Sequence, residues 1–291
     1  MVAPMKKWLS LLAALLLMLP LCANAEDRII IDKIKHPADD FAFPADAQLL
    51  EIYFPKIYDS AAALIRYGEY TMLFDCADDQ WGQVSALLDR LGVTELTYAC
   101  NSHPHRDHIY GFPHVLKDVP AREFLRFFGD DYEYTEASAR KAYAKLRELG
   151  IPFRQLGNGD TIPFGDVKIT ALQCLDPEFS ANNASALLMV ELGQRRFLFA
   201  SDIQIAAQRR LLADDADVRA DILQHPHHGY DEIRTYFLEE VDPELVIITS
   251  LPNASNGAAF LRELGVPYLH THLGITRMTT DGNVWVIERF K

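Results

Sequence analysis

The sequence has few cysteines, four among 291 residues. Cys22 lies in an N-terminal segment that we expect to be removed, which leaves Cys76, Cys100 and Cys174. An odd number of cysteines does not describe a disulfide framework. All three lie in apolar, strand-like surroundings, which favours buried thiols over the one bridge they could form.

Basic residues are also scarce, with 28 lysines and arginines against 41 acidic residues and a formal net charge of −13. Removing residues 1–25 takes away two lysines and no acidic residue, so the net charge goes from −13 to −15. A surface this acidic repels a phosphate backbone, because nucleic-acid binders need clustered lysine and arginine. Long nucleic acid is therefore an unfavourable partner, although a local basic groove stays possible.

Long hydrophobic runs are lacking except near the N-terminus. Two lysines precede the apolar residues 8–21, and the small residues 23–25 resemble a signal peptidase site. The run is too short to span a bilayer comfortably, so residues 1–25 are predicted to be a cleaved signal peptide. The mature protein would then be secreted or periplasmic, without a stable membrane span. An uncleaved anchor is the alternative; lipidation of Cys22 is disfavoured because Leu21 stands where a small residue is needed.

No linker rich in glycine, proline or serine follows this segment, so we predict one domain over residues 26–291. That domain contains a faint repeat. Residues 60–68 resemble residues 185–193, and the likeness continues without a gap from 72–74 to 197–199. Each copy is typical of a β-hairpin, with two apolar strands around a turn that contains glycine.

Each hairpin precedes a helical pattern, at 81–91 and 205–212, and then a further strand, at 96–100 and 222–223. Between the halves, residues 136–149 form an amphipathic helical pattern that Gly150 ends. Strand–strand–helix–strand used twice predicts an α/β fold. It would be a four-layer αββα sandwich with a pseudo-two-fold internal repeat, in which both histidine-rich loops meet at one edge.

The densest group of chemically active side chains follows the predicted strand at 96–100, and comprises His103, His105, Asp107 and His108. In a loop that leaves a strand, the first two could bind one metal ion and the last two a second. Imidazole and carboxylate suit Zn²⁺, and also Mn²⁺ or Fe²⁺. A polar surface loop is the alternative, but three of ten histidines clustered with an aspartate argue against it.

This HxHxDH pattern resembles the signature of the metallo-β-lactamase superfamily, and the likeness covers residues 45–291. It is most similar to the branch of the ComEC/Rec2 extracellular hydrolase domain. The other matching segments are residues 73–75, 182–185, 199–202 and 227–229.

The resemblance implies specific roles for several residues. Asp202 would bridge two divalent metals, although an aspartate here could instead cap the following helix. Asp75 would be a carboxylate that orients the ligand loop. Asn183 and Ser185 would lie beside the ligands in the segment 182–185.

A histidine of the 227–228 pair would complete the second metal site. The two copies of the repeat are offset by 125 residues, which carries His103 onto His228. A local match of residues 225–227 to residues 103–105 gives a different alignment. We predict His228 as the ligand, with His227 as the second choice.

The implied activity is hydrolysis by a hydroxide held between two metal ions, with Asp107 and Asp202 as the catalytic carboxylates. No third histidine for the first site stands at its usual place, where Asn182 or Asn183 occurs. A phosphodiester or other phosphoester is the expected substrate, either a small molecule or one linked to cell wall or lipid. The alternatives are a lactamase- or lactonase-type hydrolase and a non-catalytic metal-binding module. No Ser/His/Asp or Cys/His arrangement suggests a nucleophile from the protein.

Overall fold

The computed structural model describes residues 28–31, 41–130, 136–231 and 233–290. The signal peptide predicted over residues 1–25 lies outside this part of the chain. Among the described residues, no helix is both long enough and apolar enough to cross a membrane.

Within the described residues, sixteen strands form two sheets. In chain order they are β1 (Arg28–Ile31), β2 (Leu50–Phe54), β3 (Ala62–Tyr67), β4 (Tyr70–Cys76), β5 (Leu96–Asn101), β6 (Ala121–Arg126), β7 (Phe153–Gln155), β8 (Thr161–Ile162), β9 (Lys168–Leu172), β10 (Leu187–Leu192), β11 (Arg195–Phe199), β12 (Ile222–Gln224), β13 (Leu245–Ile248), β14 (Tyr268–His270), β15 (Ile275–Thr280) and β16 (Trp285–Phe290).

Seven α-helices occur in the described residues: α1 (Trp81–Arg90), α2 (Arg106–Ile109), α3 (Phe112–Val115), α4 (Ala137–Glu148), α5 (Ile205–Ala213), α6 (Thr235–Val241) and α7 (Asn256–Leu264). Short 3₁₀ turns cover Pro226–Gly229, Pro252–Ala254 and Thr271–Leu273.

The strand order confirms the internal repeat. One sheet has the order β1-β16-β15-β2-β3-β4-β5-β6-β7, and the other has the order β14-β13-β12-β11-β10-β9-β8. In the first, β3 and β4 form an antiparallel hairpin and β5 runs parallel to β4 after α1. In the second, β10 and β11 form the hairpin and β12 runs parallel to β11 after α5.

The layers follow from the alternation of side chains along each strand. On β4, Met72 and Phe74 belong to the core between the sheets, whereas Leu73 packs in the core beneath α1. Phe74 meets Phe199 of the other sheet with ring centroids 5.1 Å apart. Helices α1 and α4 cover the first sheet, and α5, α6 and α7 contribute buried residues beside the second. The predicted αββα sandwich is confirmed.

The predicted helices are present with ends shifted by one or two residues. The first ends at Arg90 rather than at residue 91, and the helix between the halves spans Ala137–Glu148. Glycines Gly92 and Gly150 follow with positive φ of 63° and 73°. Both conformations suit glycine and end a helix, because they turn the chain away while the last carbonyls stay bonded.

The three cysteines are free and buried, as the sequence predicts. Their thiols therefore act as small apolar groups of the core.

Two glycine turns join the repeated hairpins. Gly68 and Gly193 each have φ of 56° and are the first of two turn residues, which matches type II′ turns. Their surroundings differ. A Cβ at position 68 would meet the end of the Gln48 side chain, whereas one at position 193 would lie 2.7 Å from the carbonyl oxygen of Gly282.

We therefore expect Gly193→Ala to destabilise the protein more than Gly68→Ala. Positive φ costs either alanine about 1 kcal/mol, and at position 193 the backbone clash adds roughly 1–3 kcal/mol. Urea denaturation of both variants measures the difference in free energy of unfolding. Equal losses of stability would show that the close approach of Gly193 to Gly282 does not constrain the fold.

Candidate metal centre

The candidate site lies where four parallel-paired strands end. Strands β4 and β5 of the first sheet, and β11 and β12 of the second, each lead into a loop that carries polar side chains. Loops at the carboxyl ends of parallel strands meet at one edge of a sheet. The two halves of the repeat therefore contribute to one site.

The first ligand set comprises His103, His105 and Asp202, whose candidate ligand atoms all lie within 4.8 Å of one another. The Nε2 atom of His103 and the Nδ1 atom of His105 are 3.1 Å apart. His103 is fully buried, whereas His105 is partly exposed.

The second ligand set comprises Asp107, His108, Asp202 and His228, again within 4.8 Å. The Nε2 atoms of His108 and His228 are 3.3 Å apart, and the Oδ2 atom of Asp107 lies 3.1 Å from the latter. Six of the seven predicted ligand residues thus belong to one or both sets. The seventh, His227, belongs to neither.

Asp202 is shared by the two sets. Its Oδ2 atom lies 3.6 Å from Nε2 of His103, while its Oδ1 atom lies 3.2 Å from Nε2 of His108. Oδ1 is buried and has no hydrogen-bond partner among the described residues. Each oxygen thus faces a different set, which is the arrangement that a bridging carboxylate requires.

Asp75 holds the histidine loop in place. Its Oδ1 atom accepts hydrogen bonds from the Ser102 amide at 2.8 Å and from Asn101 Nδ2 at 3.0 Å. Its Oδ2 atom accepts from the Ser102 hydroxyl and from His108 Nδ1, both at 2.7 Å. Each hydrogen bond comes from the segment that carries the candidate ligands, so the carboxylate holds that segment in one orientation.

The same hydrogen bonds determine which ring nitrogens face the centre. The carboxylate of Asp75 only accepts, so His108 donates from Nδ1 and turns Nε2 inward. The Ser102 hydroxyl donates to Asp75 and can accept from His103 Nδ1 at 3.0 Å. Nδ1 of His228 is 2.8 Å from the Thr249 hydroxyl. Three Nε2 atoms thus converge, and in the neutral rings they would act as lone-pair donors to a divalent cation.

The buried carboxylates of the cluster favour positive charge at the site. Burial opposes protonation of His108, but the neighbouring carboxylates, Asp202 foremost, outweigh it and raise its pKa well above the ordinary value. Burial would favour neutral Asp202, but the imidazoles of His108 and His228 outweigh that and hold its pKa well below the usual range. Burial and the nearby His108 lower the pKa of His103, which keeps this ligand neutral. Divalent cations would supply the charge that these carboxylates stabilise.

Asn183 and Ser185 support the Asp202 loop through its backbone. The Ser185 hydroxyl accepts from the Asp202 amide at 3.1 Å. The Asn183 Oδ1 atom accepts from the amides of Gln204 and Ala207, both at 3.1 Å, and so caps α5. The side-chain oxygen of Asn183 is therefore already hydrogen-bonded to the start of the helix that follows Asp202.

Asn182 and His227 form a separate chain of contacts. His227 donates from Nδ1 to Asp231 at 2.8 Å, and its Nε2 atom accepts from Asn182 Nδ2 at 3.3 Å. The Oδ1 atom of Asn182 is buried and has no hydrogen-bond partner in the described part of the chain. Asn182, rather than Asn183, therefore has an oxygen available for a ligand.

Three supporting residues were not singled out from the sequence. Ser102 and Thr249 form hydrogen bonds with candidate ligand histidines, and the Tyr230 ring lies 5.5 Å from the ring centroid of His228. Burial, and after it the nearby Asp59 carboxylate, raise the pKa of Tyr230. A signal existed for Thr249, which follows the buried strand β13 beside β12.

Comparisons with known proteins agree with this architecture. The sequence model of the metallo-beta-lactamase superfamily matches residues 57–249. No curated protein sequence matches the chain.

Solved structures of similar fold share little sequence with this chain. A mutant of CmlA beta-hydroxylase is 14% identical with a TM-score of 0.53, over 82% of this chain and 54% of that one. The metallo-beta-lactamase fold protein YhfI from Bacillus subtilis is 13% identical with a TM-score of 0.49, over 76% and 95%. A diphosphatase from the PhnP family is 12% identical with a TM-score of 0.47, over 77% and 94%.

We expect Asp75→Asn to weaken metal binding about 10–100-fold, because an amide cannot accept all four hydrogen bonds that the carboxylate accepts. Competition with a chelating dye measures the dissociation constant. The matched control is Asp79→Asn, which removes an exposed carboxylate four residues further along the chain that pairs with Arg106. Unchanged metal affinity in a folded Asp75→Asn variant would contradict the orienting role.

Proposed function

The chain belongs to the metallo-beta-lactamase superfamily, and from that premise we propose that it is an exported, metal-dependent phosphodiesterase. The observation that carries the proposal is the pair of ligand sets sharing Asp202. Superfamily membership supports a hydrolase in general. The phosphodiester substrate, the metal identity and the location outside the cytoplasm are the finer parts of the proposal.

Two zinc ions suit the donor atoms best. His103, His105 and Asp202 would hold one ion, and Asp107, His108, Asp202 and His228 the other. Imidazole nitrogen and carboxylate oxygen are ligands that Zn²⁺ prefers, while Mn²⁺ or Fe²⁺ accept the same set. When bound, such ions make water a stronger acid near neutral pH and polarise a phosphoryl oxygen.

Asp107 is the carboxylate that we propose to orient the attacking water. Its side chain is about one-third exposed, 32%, whereas the other carboxylates of the cluster, Asp75 and Asp202, are buried. Burial would raise the pKa of Asp107, but His108 and His228 outweigh that and lower it, so the carboxylate stays ionised. An ionised, accessible carboxylate can accept a hydrogen bond from an attacking water and orient it toward the substrate.

A phosphoester is favoured over a lactam or lactone by two features. The segments 73–75, 182–185 and 227–229 resemble the ComEC/Rec2 branch, whose hydrolase domains suggest phosphodiester chemistry. The first set has two imidazoles rather than three, and the free oxygen of Asn182 is a weaker donor. The lower donor strength leaves that ion more open to an anionic oxygen of the substrate.

The proposed substrate is a small, wall-linked or lipid-linked phosphoester rather than long nucleic acid. With 41 acidic residues against 28 basic ones, the surface repels an extended phosphate backbone. The predicted signal peptide would deliver the enzyme to a compartment where envelope phosphoesters are available.

We expect the purified mature protein to contain up to two equivalents of transition metal and to hydrolyse bis-p-nitrophenyl phosphate. Asp107→Ala should lower kcat by about 100- to 1000-fold, since it removes the accessible carboxylate. Release of p-nitrophenol and elemental analysis measure the two quantities.

His114→Ala is the control for this variant. His114 follows the signature closely but stacks on Trp81 and lies outside both ligand sets. Full activity in Asp107→Ala would refute the catalytic role. Metal binding without turnover of phosphodiesters, lactams or lactones would favour a binding module, and turnover of lactams or lactones alone would favour the other hydrolase class.

We further expect export to remove residues 1–25, so that the mature chain begins at Glu26. A cleaved signal predicts this N-terminus because the small residues 23–25 precede it. Mass spectrometry of protein expressed with its full leader in a bacterial host identifies the N-terminal peptide. Recovery of an intact leader in the membrane fraction would support the anchor instead.

A further inference from the structure

A cavity of about 630 Å³ adjoins the metal centre on the side of α5 and α6. Its volume lies within the range of about 300–1,000 Å³ that is typical of small-molecule sites. The polar residues of its wall that matter here are Gln204, Arg209, His225, His227, Arg234 and Asn256.

The cavity and the metal centre share two loops. Asp202 belongs to both ligand sets, and the next residues, Ile203 and Gln204, already line the cavity. His228 is a candidate ligand, and the residue before it, His227, lines the cavity. The wall of the cavity therefore begins at the residue next to a candidate ligand in each of the two loops.

Two arginines give the cavity positive charge. Among the described residues, neither Arg209 nor Arg234 forms an ion pair, although both line the cavity and are exposed. Their neighbours behave differently, since Arg210 pairs with Asp214 at 2.7 Å and Arg219 pairs with Asp242 at 3.1 Å. In a chain with an excess of acidic residues, two arginines at one cavity without an ion-pair partner among the described residues indicate an anionic ligand.

Buried polar side chains lie next to the two arginines. Gln208 is 3% exposed, and its Oε1 atom accepts a hydrogen bond from the Arg234 amide at 3.1 Å. This bond connects the start of α6 to the residue next to Arg209. His225, which also lines the cavity, is buried. The acidic group of the lining, Asp231, accepts a hydrogen bond from His227 at 2.8 Å, so its charge is partly engaged.

We propose that this cavity binds a second phosphate group of the substrate, and that the enzyme prefers phosphodiesters that carry a phosphate on one arm. The inference rests on the proposed phosphodiesterase function and adds the substrate class. Guanidinium groups bind phosphate oxygens through paired N–H donors, so Arg209 and Arg234 would hold the phosphate while the diester lies at the ligand sets.

Two matched substrates test the preference. The p-nitrophenyl ester of thymidine 5′-phosphate has only the diester charge, and its 3′-phosphorylated form adds one phosphate. We expect kcat/KM of the wild-type protein to be about 10- to 100-fold higher for the phosphorylated ester, the usual value of charge-assisted hydrogen bonds. Equal values for the two esters would overturn the inference and leave the phosphodiesterase function standing.

The double variant Arg209→Gln/Arg234→Gln should lose that preference and hydrolyse the unphosphorylated ester within about twofold of wild type. Arg210→Gln is the matched control, because it removes a neighbouring arginine of α5 that is paired with Asp214 and does not line the cavity. An equal loss for both esters in the double variant would contradict a specific phosphate site.

Binding gives a readout that does not depend on turnover. Thymidine 3′-phosphate is titrated into the metal-loaded wild-type protein, the double variant and Arg210→Gln, and ³¹P line broadening is followed. About tenfold weaker binding in the double variant alone supports the site even if neither ester is hydrolysed, in which case only the proposed function fails. Equal affinity in all three proteins overturns the inference.

Discussion

The structure depends on the burial of one carboxylate, Asp202, at the junction of the two sheets. The residue is 1% exposed, and its Oδ1 atom has no hydrogen-bond partner among the described residues. A buried charge without compensation costs several kcal/mol, about the stability margin of many domains. The imidazoles around it come from both halves of the repeat, with His103 and His108 from the first and His228 from the second. Cations bound there would therefore hold the two halves of the repeat together in addition to any role in catalysis.

Backbone strain is concentrated in the loops that place these groups. Most non-glycine residues with positive φ lie at this edge of the sandwich, namely Asp59, Asp75, Ala77, Ser201, His227 and His228. Such conformations cost about 1–3 kcal/mol each and persist where neighbouring contacts determine them. Asp75 is held by four hydrogen bonds, and the Ser201 carbonyl accepts the His227 amide at 2.9 Å. The core between the sheets stabilises a site that is locally strained.

Much of the fold could be predicted because its signals are periodic or local. The hairpins of the repeat were recognisable from apolar strands around Gly68 and Gly193, where a type II′ turn needs positive φ. The offset between the copies related His103 to His228, and the structure places one of them in each ligand set. The first loop was recognisable because four candidate ligands lie within six consecutive residues, so their side-chain chemistry was visible before any contact was known.

The remaining contacts join residues that are far apart and follow no period. Asn183 was expected beside the ligands, but its capping of α5 depends on how two loops meet across 21 residues. Likewise, Gln208 bonds the Arg234 amide across 26 residues, and nothing local to either residue indicates that contact. Metal ligands cluster along a chain because one loop can supply several of them. Groups that recognise a substrate come one or two from each element, so they become visible only when the elements are assembled. The sequence alone therefore suggests the class of reaction, whereas the substrate can be proposed only from the folded structure.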